Sequence, residues 1–94
     1  MLKLDPSRQA HQYLTDWQQA HPKHARQLGY KLRALLENPH PPDARPLRGE
    51  PAGYLRADAG EYRLIYRMEG DALQLALVGK RNDSDIYRQF ERRR

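Results

Sequence analysis

The stretch GYLRADAGEYRLIYRMEGDALQLALVG, residues 53–79, decides the fold. Its three runs GYLRAD, EYRLIYRM and ALQLALVG are rich in residues that suit a pleated surface, with Ala59 and Gly60 at the first junction and Glu69, Gly70 and Asp71 at the second. Junctions this short belong to tight antiparallel connections, so the segment is predicted to be a three-stranded antiparallel meander. In the middle run Tyr62, Leu64 and Tyr66 fall on one pleat, and Arg63, Ile65 and Arg67 on the other. Each pleat mixes apolar and polar groups, so alternation alone leaves open which one is covered.

Upstream lies NPHPPDARPLRGEPAG, residues 38–53, which holds five of the seven prolines and reads as a loop. Before it, Ala25, Leu28, Leu32, Leu35 and Leu36 recur at helical spacing and predict a helix from about 22 to 37 that stops ahead of Pro39. Ala10, Tyr13, Leu14 and Trp17 predict an earlier helix from residue 6 to about 20, with Asp5 as its cap and Pro6 at its first position. The two are expected to form a hairpin. Met1 to Leu4 alternate like a short edge strand, and residues 83 to about 92 read as a short terminal helix, acidic at its start and closed by Arg92, Arg93 and Arg94. The class is α+β: an N-terminal strand, a helical hairpin, the meander and a C-terminal helix, in one domain spanning 1–94.

At 94 residues the chain has room for one small core and no second catalytic domain. It contains no cysteine, which removes disulfides, thiol nucleophiles and thiolate metal sites together. No apolar run approaches the roughly 18 residues of a membrane span, and Lys3 alone does not make a signal segment, so a cytoplasmic protein without a membrane partner is expected. The formal charge is +5, and 13 of the 17 cations are arginines. Arginine presents a rigid fork to phosphate and stacks on bases, which favours a polyanionic or acidic partner over a small neutral ligand.

The chemistry concentrates in the second half, in Arg56, Arg63, Lys80, Arg81 and Tyr87. On adjacent strands and the segment after them these side chains are able to converge on one phosphodiester and to stabilise the extra charge of a five-coordinate transition state. The competing reading is a charged strand face with ion pairs to Glu61, Asp58 or Asp83. Tyr87 is a proton-transfer or stacking group if cations surround it, and otherwise an anchor for the terminal helix. His11, His21, His24 and His40 do not make a metal set: Pro22 separates the closest pair, and no carboxylate or cysteine completes it. The dispersed glycines form no phosphate loop, so no metal and no cofactor is expected.

LRG at 47–49, GEYRLIYRM at 60–68 and VGKRNDSDIYRQF at 78–90 resemble the RelE-type toxins of the RelE/ParE toxin-antitoxin superfamily, and the helical region ahead of them fits the same pattern. The resemblance implies a ribosome-dependent endoribonuclease that cuts mRNA in the decoding site without a metal, by attack of the ribose 2′-hydroxyl on the adjacent phosphate. Carried over, Arg63 holds the scissile phosphate, Arg81 stabilises it or helps to protonate the leaving oxygen, and Tyr87 orients or activates the nucleophile. Arg56 stands where the family commonly has a catalytic lysine, and Tyr54 falls near a second one. Arginine keeps the charge of that lysine but is a poor base. The resemblance implies nucleic-acid contacts from Arg48, Arg56, Arg63, Lys80, Arg81 and Arg88. It also implies a cognate antitoxin folding along the basic surface, and mRNA in the ribosomal A site as substrate. Operator DNA is left to the antitoxin. Two alternatives stay open: a ParE-like inhibitor of DNA gyrase, and a catalytically inactive interaction module on the same fold.

Overall fold

The computed structural model of the protein describes residues 1–47 and 53–80. Their elements run β1 (Lys3–Pro6), α1 (Arg8–Ala20), α2 (Pro22–Glu37), β2 (Arg45–Pro46), β3 (Leu55–Ala59), β4 (Tyr62–Glu69) and β5 (Ala72–Lys80). The expected terminal helix lies outside the described residues. Among the described residues no helix is long and apolar enough to cross a membrane.

The three predicted strands are present and antiparallel, but the sheet is larger than a three-stranded meander. Five strands pair in the order β1-β5-β4-β3-β2. The N-terminal strand runs parallel to β5, with Leu4 beside Leu73 and Pro6 beside Leu75. At the opposite edge the proline-rich loop contributes β2, whose two residues pair with Leu55 and Arg56. Pro46 is tolerated there because an edge strand does not need every N–H. Gly60 and Gly70 make the two hairpin turns at φ +61° and +59°, a region that other residues enter at a cost.

The first helix begins two residues later than the capping pattern suggested. Pro6 belongs to β1, and Ser7 caps the helix, its Oγ accepting from the N–H of Ala10 at 3.1 Å. The same hydroxyl donates to the Ala76 carbonyl at 2.6 Å, and the Ser7 N–H donates to Leu75 O at 2.8 Å. Gln9 then takes over from the strand: its amide donates to Val78 O at 3.0 Å and accepts from Val78 N–H at 3.2 Å. The first turn of α1 thus satisfies the edge of β5 where β1 has run out, which is why the strand-to-helix junction sits where it does.

Both helices cover the pleat that carries Tyr62, Leu64 and Tyr66. Ala10 from α1 and Leu28, Leu32 and Leu35 from α2 pack on these three and on Leu73, Leu75 and Val78. Tyr13 and Leu14 lie partly buried against the same core, while the Trp17 side chain is outside the described set. Strand β5 keeps Leu75 and Val78 on one side only because its register shifts: Ile65 faces Leu77 whereas Tyr66 faces Leu75, leaving Ala76 as an extra residue. The bulge turns Leu77 to the far pleat, where it joins Ile65 with Leu47, Tyr54 and Ala76 packed around them.

Tyr66 links this core to the loop, since its buried hydroxyl donates to the Pro39 carbonyl at 2.6 Å. Burial, with Asp43 nearby, pushes the phenol up to about 12, and burial raises Tyr62 as well. A phenol raised on folding leaves stability untouched below its unfolded value of 10.0 and withdraws it as pH climbs toward about 12. Tyr66→Phe is therefore expected to cost about 1–2 kcal/mol at neutral pH, by stranding Pro39 O, and to flatten the alkaline loss. Urea unfolding across the alkaline range measures both.

Candidate functional site

The pleat turned away from the helices is where the sequence placed its chemistry. Arg56 stands opposite Ile65, and Asp58 opposite Arg63, so all four share the face away from the helices. Beyond β3, Arg45 on β2 stands directly opposite Arg56. Asp43, Arg45, Arg56, Asp58 and Arg63 line a cleft of about 300 Å³ at this edge. Like charges set opposite each other on neighbouring strands are unfavourable in an empty sheet, so the Arg45 and Arg56 pairing is an arrangement that an anion would relieve.

Two carboxylates organise these guanidinium groups. Arg63 donates from Nε to Asp58 Oδ1 at 2.9 Å, and the Arg63 side chain is only 16% exposed. Asp43 receives Lys31 Nζ from α2 on both oxygens, at 2.9 and 2.8 Å, and also the backbone N–H of Asp58 at 3.4 Å. The Lys31 hydrogen bond holds the Asp43 carboxyl below its ordinary range against a smaller opposing effect of burial. Arg45 leans back on its own loop, donating from Nη1 to Pro42 O at 3.0 Å. The loop is thus moored by Tyr66, by Lys31 and by the β2 pairing, and these three ties set Arg45 beside Arg56.

Of the residues expected from the sequence, Arg56 and Arg63 meet at the cleft. Lys80 stands opposite Tyr62, on the helix-covered pleat at the exposed end of β5. Arg48, Arg81, Tyr87 and Arg88 lie outside the described residues. Tyr54, where the resemblance places a second lysine, packs beside Ile65 and carries the Arg67 guanidinium 5.2 Å above its ring. Arg67 also donates to Gln74 Oε1 at 2.7 Å. Sequence reasoning missed Arg45 and Asp43, because a two-residue strand among prolines has no periodicity to detect. Asp58 entered only as one of three ion-pair partners for the strand face, and the structure makes that pair. His21 and His24 stack at 5.7 Å, and His24 Nδ1 lies 2.8 Å from Tyr62 Oη. Among the described residues no three His, Asp or Glu side chains gather as a metal set.

Residues 5–84 match the family model for the ParE toxin of the type II toxin-antitoxin system parDE. An Escherichia coli protein described as a RelE-like toxin is 36% identical over 77 residues, which cover 79% of this chain and 80% of that protein. Among solved structures, a YoeB/ParE toxin from Agrobacterium tumefaciens superposes with a TM-score of 0.73 at 21% identity, covering 84% of this chain and 98% of the other. The toxin-antitoxin complex RelBE2 from Mycobacterium tuberculosis gives a TM-score of 0.69 at 24% identity, covering 85% and 98%. YafQ from Escherichia coli gives 0.68 at 24% identity, covering 87% and 96%. These structural likenesses concern the fold.

Asp43→Ala removes a partly exposed ion pair and an acceptor for backbone, and is expected to destabilise the protein by about 1 kcal/mol at neutral pH. A carboxyl depressed on folding contributes above its unfolded value and loses that contribution as pH falls through the folded one. The gap between wild type and variant in urea unfolding should therefore close on acidification below the carboxylate range.

Proposed function

The chain belongs to the ParE toxin family of type II toxin-antitoxin systems, within the RelE/ParE superfamily, and from that premise we propose that it is a ribosome-dependent mRNA endoribonuclease. The observation that carries this reading is the convergence of Arg45, Arg56 and Arg63 on one cleft at the sheet edge, on the pleat away from the helices. Among the described residues they and Lys31 set four cations against the two carboxylates of Asp43 and Asp58, a balance that favours a phosphodiester.

In this reading Arg63 grips the scissile phosphate and Arg56 stabilises the charge that builds on its oxygens as the 2′-hydroxyl attacks. Arg81 and Tyr87, outside the described residues, take the roles that the resemblance implies, Tyr87 orienting or activating the nucleophile and Arg81 stabilising the phosphate or helping to protonate the leaving oxygen. A 2′,3′-cyclic phosphate and a 5′-hydroxyl result. A domain this small holds an RNA strand poorly by itself, and the ribosome supplies the positioning. A cognate antitoxin with an acidic segment would neutralise the same arginines and silence the protein.

Position-resolved cleavage of mRNA in programmed ribosome complexes, beside ribosome-free RNA, tests the proposal. Cleavage on ribosomes alone is expected, with Arg63→Ala and Tyr87→Ala each slowing it by about 100-fold or more while the variants stay folded. Intact mRNA under verified A-site occupancy by the wild type would overturn the reading and bring gyrase inhibition or a noncatalytic role forward.

A further inference from the structure

A row of side chains crosses the pleat turned away from the helices. Asp5 on β1 stands opposite Gln74 on β5, and Gln74 stands opposite Arg67 on β4. Arg67 lies against the ring of Tyr54, just ahead of β3, with its guanidinium carbon 5.2 Å from the ring centre. The row is four residues along β4 from Arg63, about 13 Å at the rise of a strand, and so stands apart from the arginine cleft. Asp5, Tyr54, Gln74 and Ala76 line a second cleft here, of about 200 Å³. That is below the roughly 300 Å³ at which drug-sized ligands are taken, and it suits one flat heterocycle rather than a whole nucleotide.

Arg67 sets the polarity of this cleft. A guanidinium only donates, so the 2.7 Å contact from Arg67 Nε fixes the near atom of the Gln74 amide as its oxygen. The amide nitrogen is then turned away from β4 toward the β1 side, where Asp5 stands. Among the described residues neither that NH2 group nor the exposed Asp5 carboxylate has a hydrogen-bond partner. Between them lies Ala76, the extra residue of the β5 bulge, whose methyl group leaves the floor low. A donor pair and a carboxylate thus sit side by side over a small apolar floor.

We infer that this cleft takes a guanine base, with Asp5 and Gln74 reading its edge. Of the RNA bases, guanine alone presents two adjacent N–H donors beside a carbonyl on its Watson–Crick edge. The Asp5 carboxylate accepts from both donors, one on each oxygen, and the Gln74 amide donates to the carbonyl. Adenine and cytosine bring one amino donor beside a ring acceptor and leave one Asp5 oxygen unmet. Uracil sets a carbonyl against the carboxylate. Asp5 also repels phosphate, so this row selects a base where the arginine cleft selects a phosphodiester. Arg67 is a positioning residue, acting through the orientation of Gln74. The assignment goes beyond the endoribonuclease reading and does not depend on it, because the same base comes from an RNA strand or from a free guanine nucleotide.

Deoxy pentanucleotides test this, since they keep the base edges and carry no 2′-hydroxyl to attack. TTGTT, TTATT, TTCTT and TTTTT are titrated into isotope-labelled protein and followed by NMR at the Gln74 side-chain amide, beside TTITT, whose hypoxanthine lacks the guanine amino group. TTGTT is expected to bind about tenfold more tightly than the A, C and T strands, to shift the Gln74 amide, and to lose several-fold on the hypoxanthine change. Asp5→Asn should bring the ratio of TTGTT to TTTTT affinity to about one with the circular dichroism spectrum unchanged. Arg67→Met, which frees the amide to turn over, should erode the same ratio. GMP and AMP distinguish the source: a preference for GMP at the Gln74 amide shows that a free nucleotide suffices, and a response to the strand alone assigns the site to nucleic acid. A wild type with no preference for guanine, or a preference that Asp5→Asn leaves intact, overturns the inference. None of these readouts involves cleavage, so intact mRNA on ribosomes would strike the endoribonuclease reading and leave the base site standing.

Discussion

The register between β4 and β5 is the constraint on which the rest of the structure depends. Tyr66 faces Leu75 and Ile65 faces Leu77, so one residue, Ala76, has no opposite number. That shift lets Leu73, Leu75 and Val78 all reach the core under the helices, although unbroken alternation would have put Leu77 there and Val78 outside. It also turns Leu77 to the far pleat to pack with Ile65, where Leu47, Tyr54 and Ala76 join them beside Arg56, Asp58 and Arg63. Bulges bend strands and redirect side chains, and this one separates a core built for burial from a face built for charge.

The strand edges follow from the same register. After the bulge, β5 turns its backbone toward the first turn of α1, where Ser7 and Gln9 meet the groups that β1 does not. On the other side, β3 receives the loop through β2, Lys31 meets Asp43, and Tyr66 reaches through to Pro39. A segment with so many prolines has little conformational entropy to lose, and three moorings suffice to hold Arg45 against Arg56. The cleft is therefore a product of the helix, the core and the loop together, and each contributes one tie.

Much of the fold was legible because its signals are local. The hairpins were marked by Gly60 and Gly70, the second helix by Pro22 and the leucine stripe ending before Pro39, and the arginines of the middle strand by simple alternation. The start of the first helix was misread because Asp5-Pro6 satisfies a capping rule that pairing with Leu75 overrides, leaving Ser7 to cap. The N-terminal edge strand expected over 1–4 lies at Lys3–Pro6 instead, while β2 was invisible as a sheet member because two residues carry too little periodicity and their pairing is decided by a distant edge. The site was half legible. Arg56 and Arg63 stood out by charge and pattern, whereas Arg45 and Asp43 come from a loop 10 or more residues away from them in the chain.

The sequence by itself determined the two helices, the three meander strands, the charge and the RelE/ParE superfamily, since helix periodicity, turn glycines and the YRLIY and GKR blocks are properties of neighbouring residues. Only the tertiary structure decided which pleat is covered, where the register slips, and that Asp58 rather than Glu61 holds Arg63. Those outcomes depend on which strand lies opposite which and on how two helices fill the space above them. Such long-range choices are made by burial and by backbone hydrogen bonds seeking partners, and they leave no local mark in the chain.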